Sequence, residues 1–388
     1  MKYDIEKYNK GQYFTTNKNL QKYVYTLIKN KPKIILEPSV GQGDLVDYVL
    51  KFDKTIKFHL YEIDKQIKLL KSITDKVIYG DFLKQKINTT YDTIIGNPPY
   101  VKIKKGKNLY IGFIEKCYEL LNENGELIFI VPSDFIKLTS SSNIINIMYN
   151  NGTFTDIIHP NDETLFENAN IDVIIFRYCK NKKLEKKVLI NNELKYLINT
   201  DGILTYSNKK EDIILDKFEE YFDIYVGIVN GKEAVYKNQE FGNVKVLNDK
   251  DKEEKYILIN KFPTDNLKLN EYMLNNKETL ISRKIKKFNE NNWFEWGALR
   301  NYKTIQTNLG KECIYVYNLS RNKNIAFIDK VKLFGGKLII MIPKKKINLK
   351  KIITYMNSDE FKNNYMYSGR FKIGHKQLSK CLFNFNNI

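Results

Sequence analysis

An amide, two prolines and an aromatic ring follow directly on a short apolar run at Ile94-Ile95-Gly96-Asn97-Pro98-Pro99-Tyr100. Two consecutive prolines cannot donate to a β ladder, and the residue before each is pushed out of the α region. Asn97 must therefore stand at the end of a buried strand, with its amide projecting into a loop. There the Asn97 side-chain carbonyl, the Pro98 main-chain carbonyl and the flat face of Tyr100 meet, with no neighbouring donor expected to neutralise either carbonyl. Two carbonyls can accept both hydrogens of an exocyclic amino group while a ring stacks on the heterocycle that carries it, so the corner suits a planar amine. A plain strand-terminating turn accounts for the same residues, since Asn and Pro are ordinary turn formers.

A corner of this kind needs a sheet to position it, and the preceding residues predict one. Lys33 to Asp44 reads as a buried strand and a Gly41-Gln42-Gly43 turn, followed by a helix with Leu45, Val49 and Leu50 on one side. The next strand, Lys57 to Glu62, ends in a carboxylate about 20 residues past the glycines, the spacing at which an acid grips the hydroxyls of a ribose. Val77 to Phe82 supplies a third strand ending at Asp81, which can accept from the amino group of an adenine, and Tyr91 to Gly96 a fourth. All four end in polar groups on the carboxyl edge, where open α/β sheets bind ligands. Upstream, Gly11-Gln12-Tyr13-Phe14-Thr15-Thr16-Asn17 reads as a turn and a helix cap. Downstream, Lys102, Lys104, Lys105 and Lys107 crowd a loop, either touching phosphate or simply solvated. Strands recur at Gly125 to Val131, Phe154 to His159 and Ile171 to Tyr178.

A chain of 388 residues exceeds what one hydrophobic core usually serves, so two domains are expected. The lysine-rich run Cys179 to Lys187 reads as the boundary, giving domains 1–185 and 186–388. After it the βαβ alternation disappears. A net charge of +19 points first to nucleic acid. Arginine occurs only at Arg177, Arg283, Arg300, Arg321 and Arg370, which confines any planar bidentate fork to the later part of the chain. In that part Gly227 suits a loop that approaches something closely. Arg283, Lys284, Lys286, Trp296 and Arg300 interleave cations with aromatics as a nucleic-acid face does; buried tryptophans between solvated lysines are the other account. The four cysteines are too far apart to pair on a metal, so no metal is expected. No apolar run approaches the roughly 20 residues needed to span a bilayer, and the charged start predicts a cytoplasmic protein with no membrane partner.

The ordered set, from Gly-Gln-Tyr-Phe-Thr through Glu37-Pro38-Ser39-Val40-Gly41-Gln42-Gly43 to Asn97-Pro98-Pro99-Tyr100 and a basic tail, resembles the gamma-class, TaqI-like N6-adenine DNA methyltransferases of restriction-modification systems. The resemblance runs in order to Tyr178 and continues patchily to Tyr367-Ser368-Gly369-Arg370-Phe371-Lys372-Ile373-Gly374. Ser39-Val40 departs from the smaller residues more usual in the first motif. The resemblance implies an α/β fold: a Rossmann-like, seven-stranded S-adenosylmethionine-dependent methyltransferase domain, then a mixed α+β target-recognition domain. It implies S-adenosylmethionine as cofactor, double-stranded DNA as partner, a monomer, and a cognate restriction endonuclease acting separately. Thr15 would lie near the methionine carboxylate, Glu37 and Gly41 to Gly43 along the methionine, Glu62 on the ribose, and Asp81 with Phe82 at the adenine. Asn97, beside the cofactor, and Pro98 would hold the target amine, with Tyr100 beneath the base. A second aromatic from a late strand is best matched by Tyr178, with Phe166 as the substitute. DNA contacts would come from Lys102, Lys104, Lys105, Gly227, Arg283, Lys284, Lys286, Trp296, Arg300, Arg370 and Lys372. The alternatives are an RNA-adenine N6-methyltransferase and a non-catalytic DNA-binding specificity module.

Overall fold

The computed structural model describes residues 13–73, 75–102, 108–167, 169–208, 210 and 215–384. The chain divides into two compact units, Met1–Ile213 with Tyr367–Gly369, and Ile214–Met366 with Arg370–Ile388.

The first unit is built on one sheet. Its strands are β1 (Ile34–Glu37), β2 (Lys57–Glu62), β3 (Val77–Tyr79), β4 (Tyr91–Gly96), β5 (Leu121–Pro132), β6 (Thr153–Ile158), β7 (Val173–Cys179), β8 (Lys187–Ile190), β9 (Glu193–Thr200) and β10 (Ile203–Ser207). Their order is β10-β9-β8-β6-β7-β5-β4-β1-β2-β3. From β3 to β5 the neighbours are parallel, and β7 is inserted antiparallel between β5 and β6. The expected seven strands are therefore present, as the stretch from β6 to β3. Side chains alternate between the faces: Leu36, Ile94, Leu127 and Phe129 pack on one, Ile35, Ile95, Ile128 and Ile130 on the other. The helices Leu109–Glu119 and Ser142–Asn151 cover the first face; Lys18–Thr26 and Asp44–Leu50 cover the second.

The sheet does not stop at residue 185, where the lysine run predicts a boundary. β8 pairs parallel with β6 through Asp156↔Leu189 and Ile157↔Ile190, and Val188, Leu197 and Leu204 are buried in the same core as β5 and β7. Two lysines of the run, Lys180 and Lys186, serve helix ends instead of a linker. Lys180 Nζ donates to the carbonyls of Tyr118 (3.2 Å) and Leu121 (2.9 Å), and Lys186 Nζ to those of Tyr149 and Gly152 (2.5 Å each). Carbonyls near a helix C-terminus lack internal partners, and cations there also meet the negative end of the helix dipole.

The helix Lys18–Thr26 starts at Asn17, whose side chain accepts from Asn19 N (2.9 Å) and Leu20 N (3.3 Å). Just past its other end the chain is tied to β5. The fully buried Glu126 carboxylate accepts from Lys29 N and Asn30 N (3.1 Å each), Thr93 Oγ1 (2.9 Å) and Arg177 Nε (2.7 Å).

The second unit has an antiparallel four-stranded sheet, ordered Phe222–Val226, Leu338–Pro343, Glu312–Tyr317, Ala326–Lys330. The helix Leu349–Met356 buries Leu349, Ile352 and Met356 against Ile314, Val316, Ile339 and Met341 of that sheet. A separate aromatic core holds Tyr236, Tyr256, Trp293 and Trp296. The unit is thus mixed α+β, as expected. No helix among the described residues is long and apolar enough to cross a membrane.

Candidate active site

Parallel pairing brings the carboxyl ends of β1, β2, β3 and β4 to one edge. The glycine turn after β1 is fixed by Val40 N donating to Tyr61 O (2.9 Å) and Gly43 N to Val40 O (2.9 Å). Gly41 (φ 56°) and Gly43 (φ 94°) are left-handed, the region where a side chain is strained. A Cβ on Gly43 would also lie 2.5 Å from Ile73. Glu62, at the end of β2, is buried beneath the turn. Its carboxylate accepts from Gly41 N, Ile63 N and Asp64 N, all at 2.9 Å, yet burial still raises its pKa.

Glu37 ends β1 and is 2% exposed. It accepts from Ser39 N (3.0 Å) and Ser39 Oγ (3.4 Å). Burial outweighs these bonds and pushes its carboxyl from 4.5 up to about 8. Between those values the folded chain keeps a proton that the unfolded chain has released, so this group's contribution to stability falls as pH rises from about 4.5 to about 8. Melting temperature should therefore decline less steeply over that range in Glu37→Gln than in the wild type. Parallel profiles would rule the assignment out.

Asn97 stands where the sequence places it, at the end of β4, but its amide is not bare. Nδ2 donates to Tyr13 O (2.8 Å) and Thr15 Oγ1 (3.1 Å). Because Tyr13 O can only accept, this contact fixes which way the amide faces. Oδ1 accepts from the Tyr100 hydroxyl, which also lies 3.1 Å from Ile130 O. The carbonyl expected to be free of neighbouring donors thus has one, three residues along its own chain. Tyr100 is ringed by aromatics: Tyr13 stacks at 5.6 Å and 29°, while Phe166 (6.2 Å, 83°) and Tyr110 (6.1 Å, 85°) meet it edge on.

Thr15, Glu37, Gly41 and Asn97 line one cavity with Ser39 and Asp44, and Tyr13 and Phe14 also lie in its wall. Its volume is about 20 Å³. Burial raises the Asp44 carboxyl as well, so two partly or wholly desolvated acids face the space. A larger hollow of about 890 Å³ opens at the amino ends of β1 and β2, lined by Tyr25, Lys31, Lys33, Asp53 and Lys57 among others. It lies away from every strand end that carries the polar groups above, so size alone does not locate the chemistry.

Other expected site residues lie elsewhere. Asp81 caps the short 3-10 helix Phe82–Lys84, accepting from Leu83 N at 3.1 Å and pairing with Lys84 at 3.2 Å. The Phe82 ring is enclosed by Phe113 (5.4 Å, 19°), Tyr61 (5.2 Å) and Lys116 Nζ (4.7 Å), leaving no face for an adenine. Beside Glu62, however, Ile63 is 64% exposed. An apolar residue immediately after a strand-ending acid was the available signal for it. Tyr178 is likewise a core residue: it pairs with Leu127, two rungs in from the row that holds Gly96, Phe129 and Phe176, and its hydroxyl donates to Met148 O at 2.9 Å. Phe166, in the loop before β7, is the late aromatic that reaches Tyr100.

In the second unit, the buried Arg283 donates to the main-chain carbonyls of Leu280 (2.7 Å), Asn230 (2.7 Å) and Trp293 (2.5 Å), and stacks on Phe288 at 3.8 Å. Trp296 is buried and donates to Ile257 O at 2.7 Å. The close approach at Gly227 is to the backbone of Gly335, where a Cβ would clash. These three are therefore structural. Lys284, Lys286, Arg300 and Lys372 are exposed, Lys286 pairing with Glu295 at 2.8 Å, and Arg370 is half-buried. Lys102, in the first unit, is exposed; Lys104 and Lys105 lie outside the described residues.

Residues 12–166 match the model of the Eco57I restriction-modification methylase family. The type II methyltransferase M.HincII of Haemophilus influenzae is 30% identical over 258 residues, 56% of this chain and 50% of that protein. M.MjaIV of Methanocaldococcus jannaschii is 35% identical over 126 residues, 29% of this chain and 41% of its own. The chain spans about half the length of the curated relatives it matches first. Among solved structures, the type IIL restriction-modification enzyme MmeI in complex with DNA shares the fold, with a TM-score of 0.57 at 9% identity over 92% of this chain and 62% of its own. The glycine turn and the Asn97 corner both lie within residues 12–166, the stretch that is similar to the Eco57I restriction-modification methylase family.

Proposed function

We propose that the protein is a site-specific DNA methyltransferase that moves a methyl group from S-adenosylmethionine to N6 of an adenine turned out of duplex DNA, as the modification enzyme of a restriction-modification system whose endonuclease acts separately. The observation that carries this reading is the Asn97-Pro98-Pro99-Tyr100 corner, which stands on the strand end beside the left-handed glycine turn, inside the stretch that matches a methylase family.

The lining fits the cofactor. Glu37 and Asp44 are acids held above their usual range by burial, and a ligand carrying ammonium and sulfonium charges relieves both. Cofactor affinity should accordingly rise with pH up to about 8, the value for Glu37. Glu62 is positioned for the ribose, and the exposed Ile63 gives an adenine ring the apolar platform that Phe82 does not. S-adenosylmethionine supplies an electrophilic methyl group; the chain's own residues bind and orient. The Asn97 carbonyl accepts the target amine once the Tyr100 hydroxyl releases it, with the Pro98 carbonyl as the second acceptor. Tyr13 O and Thr15 Oγ1 hold the amide so that its oxygen faces that way. Tyr100 stacks on one side of the base and Phe166 closes the other. Fixing two reactants in line supplies up to roughly 7 to 11 kcal/mol, so no strong general base is required.

The two candidate aromatics differ in expected effect. Phe166→Ala should reduce methyl transfer roughly 5- to 100-fold, the worth of one stacking face, and less when the target adenine is mispaired and cheaper to extrude. Tyr178→Phe loses a buried bond worth about 1 kcal/mol in stability and should keep the wild-type rate. A rate loss for Tyr178→Phe and none for Phe166→Ala would reverse the assignment. Duplex DNA as partner is supported by the charge of +19 and by exposed Lys284, Lys286, Arg300 and Lys372. The direct test is sequencing that maps N6-methyladenine in DNA from a host expressing the protein. Modification at one short motif is expected, and unmodified adenine throughout would overturn the reading.

A further inference from the structure

The sequence marks Thr15 and passes over Tyr13, yet both the ring and the carbonyl of Tyr13 engage the corner. The ring lies nearest to parallel with Tyr100, at 5.6 Å and 29°, and tilts against Phe166 at 5.8 Å and 54°. The carbonyl accepts from Asn97 Nδ2 at 2.8 Å. Its neighbour Phe14 stands over the glycine turn, 3.1 Å from where a Cβ on Gly41 would be. Downstream the segment is pinned, because the buried Gln21 Nε2 donates to Thr15 O (2.7 Å) and Thr16 O (3.4 Å). Tyr13 itself is half-buried and belongs to no helix or strand. The flat surface that an extruded base would stack on is thus covered by a flat ring of the same chain.

We infer that Tyr13 is a placeholder for the extruded base: its ring stacks on Tyr100 while no base is present and gives way to the base when one enters. This rests on reading the corner as a base pocket. The geometry separates the two jobs of the residue. The ring swings about its own side-chain bonds, while the main-chain carbonyl stays on Asn97 and keeps the amide turned the right way. Because one stack is exchanged for another, the base gains only the difference between them, and an adenine lacking further contacts is not retained. Tyr13 is therefore a positioning residue, one that sets how readily a base is accepted.

The test uses the full chain and a duplex carrying the mapped motif, with 2-aminopurine at the target position, whose emission rises when it leaves the stack. Tyr13→Ala removes the competing ring and should shift the equilibrium toward the extruded base by roughly 5- to 100-fold, the range for loss of one aromatic stack. Tyr13→Phe restores the ring and should return the wild-type signal. A merely structural role would move the signal the other way. In the wild type, the through-space proton NMR contact between the Tyr13 and Tyr100 rings, stacked at 5.6 Å, should be lost when the target duplex binds. A Tyr13→Ala protein of normal melting temperature that extrudes the base no better than wild type overturns the inference. So does a Tyr13–Tyr100 ring contact that persists in the complex, a result that needs no variant to fold. Absence of N6-methyladenine from host DNA defeats the underlying reading instead, and is seen before this experiment begins.

Discussion

Asn97→Ala is expected to lower methyl transfer by about 10²- to 10³-fold or more, the usual effect of deleting one preorganised polar group that acts on the reacting centre. The side chain is held at three points, by Tyr13 O, Thr15 Oγ1 and the Tyr100 hydroxyl, so its oxygen is fixed before any substrate arrives. Alanine removes that acceptor and leaves the target amine with the Pro98 carbonyl alone. The rest of the lining, Thr15, Glu37, Ser39, Gly41 and Asp44, is untouched. Cofactor binding should therefore survive, as a preserved rise in melting temperature when S-adenosylmethionine is added. Methyl incorporation into duplex at saturating cofactor measures the loss, and a variant that turns over at the wild-type rate would disprove the role.

The largest stability effect should come from a residue far from the corner. Glu126→Ala removes the buried carboxylate that receives Arg177, Thr93 and two main-chain amides after the helix Lys18–Thr26. The Arg177 guanidinium, 11% exposed, is left without that partner. Breaking one side of such a pair costs about 3 to 5 kcal/mol, measurable by denaturant unfolding. Removing both charges in Glu126→Leu with Arg177→Met should recover part of this. Recovery stays incomplete because Lys29 N and Asn30 N still lose their acceptor. A loss under about 1 kcal/mol, the size of a surface pair, would mean that the carboxylate does not anchor the helix.

The first four strands and their polar ends were legible because glycine and proline punctuate them and each apolar run stops at an acid or an amide. Asn97, Glu37, Glu62 and the glycine turn consequently stand where reading the sequence puts them. Tyr178 was misplaced for a topological reason. β7 runs antiparallel to β5, so the end nearest the corner is its beginning, and the aromatic that reaches Tyr100 comes from the loop before it, at Phe166. An apolar run carries no mark of its direction in the sheet. Arg283 and Trp296 failed differently: cations alternating with aromatics also describe a core whose lysines point outward and whose one arginine turns in to main-chain carbonyls. The Tyr100 hydroxyl on Asn97 is a contact that motif spacing does not encode.

Where the first unit ends has a practical side. A fragment cut at residue 185 would shed Val188, Leu197 and Leu204 from the core they help to seal and strip β6 of its partner along Asp156 and Ile157. The bared row of amides and carbonyls would invite other copies to pair with it. Aggregated material from such a truncation would reflect where it was cut and say nothing against the unit's capacity to fold, whereas a cut beyond Ser207 keeps that strand covered.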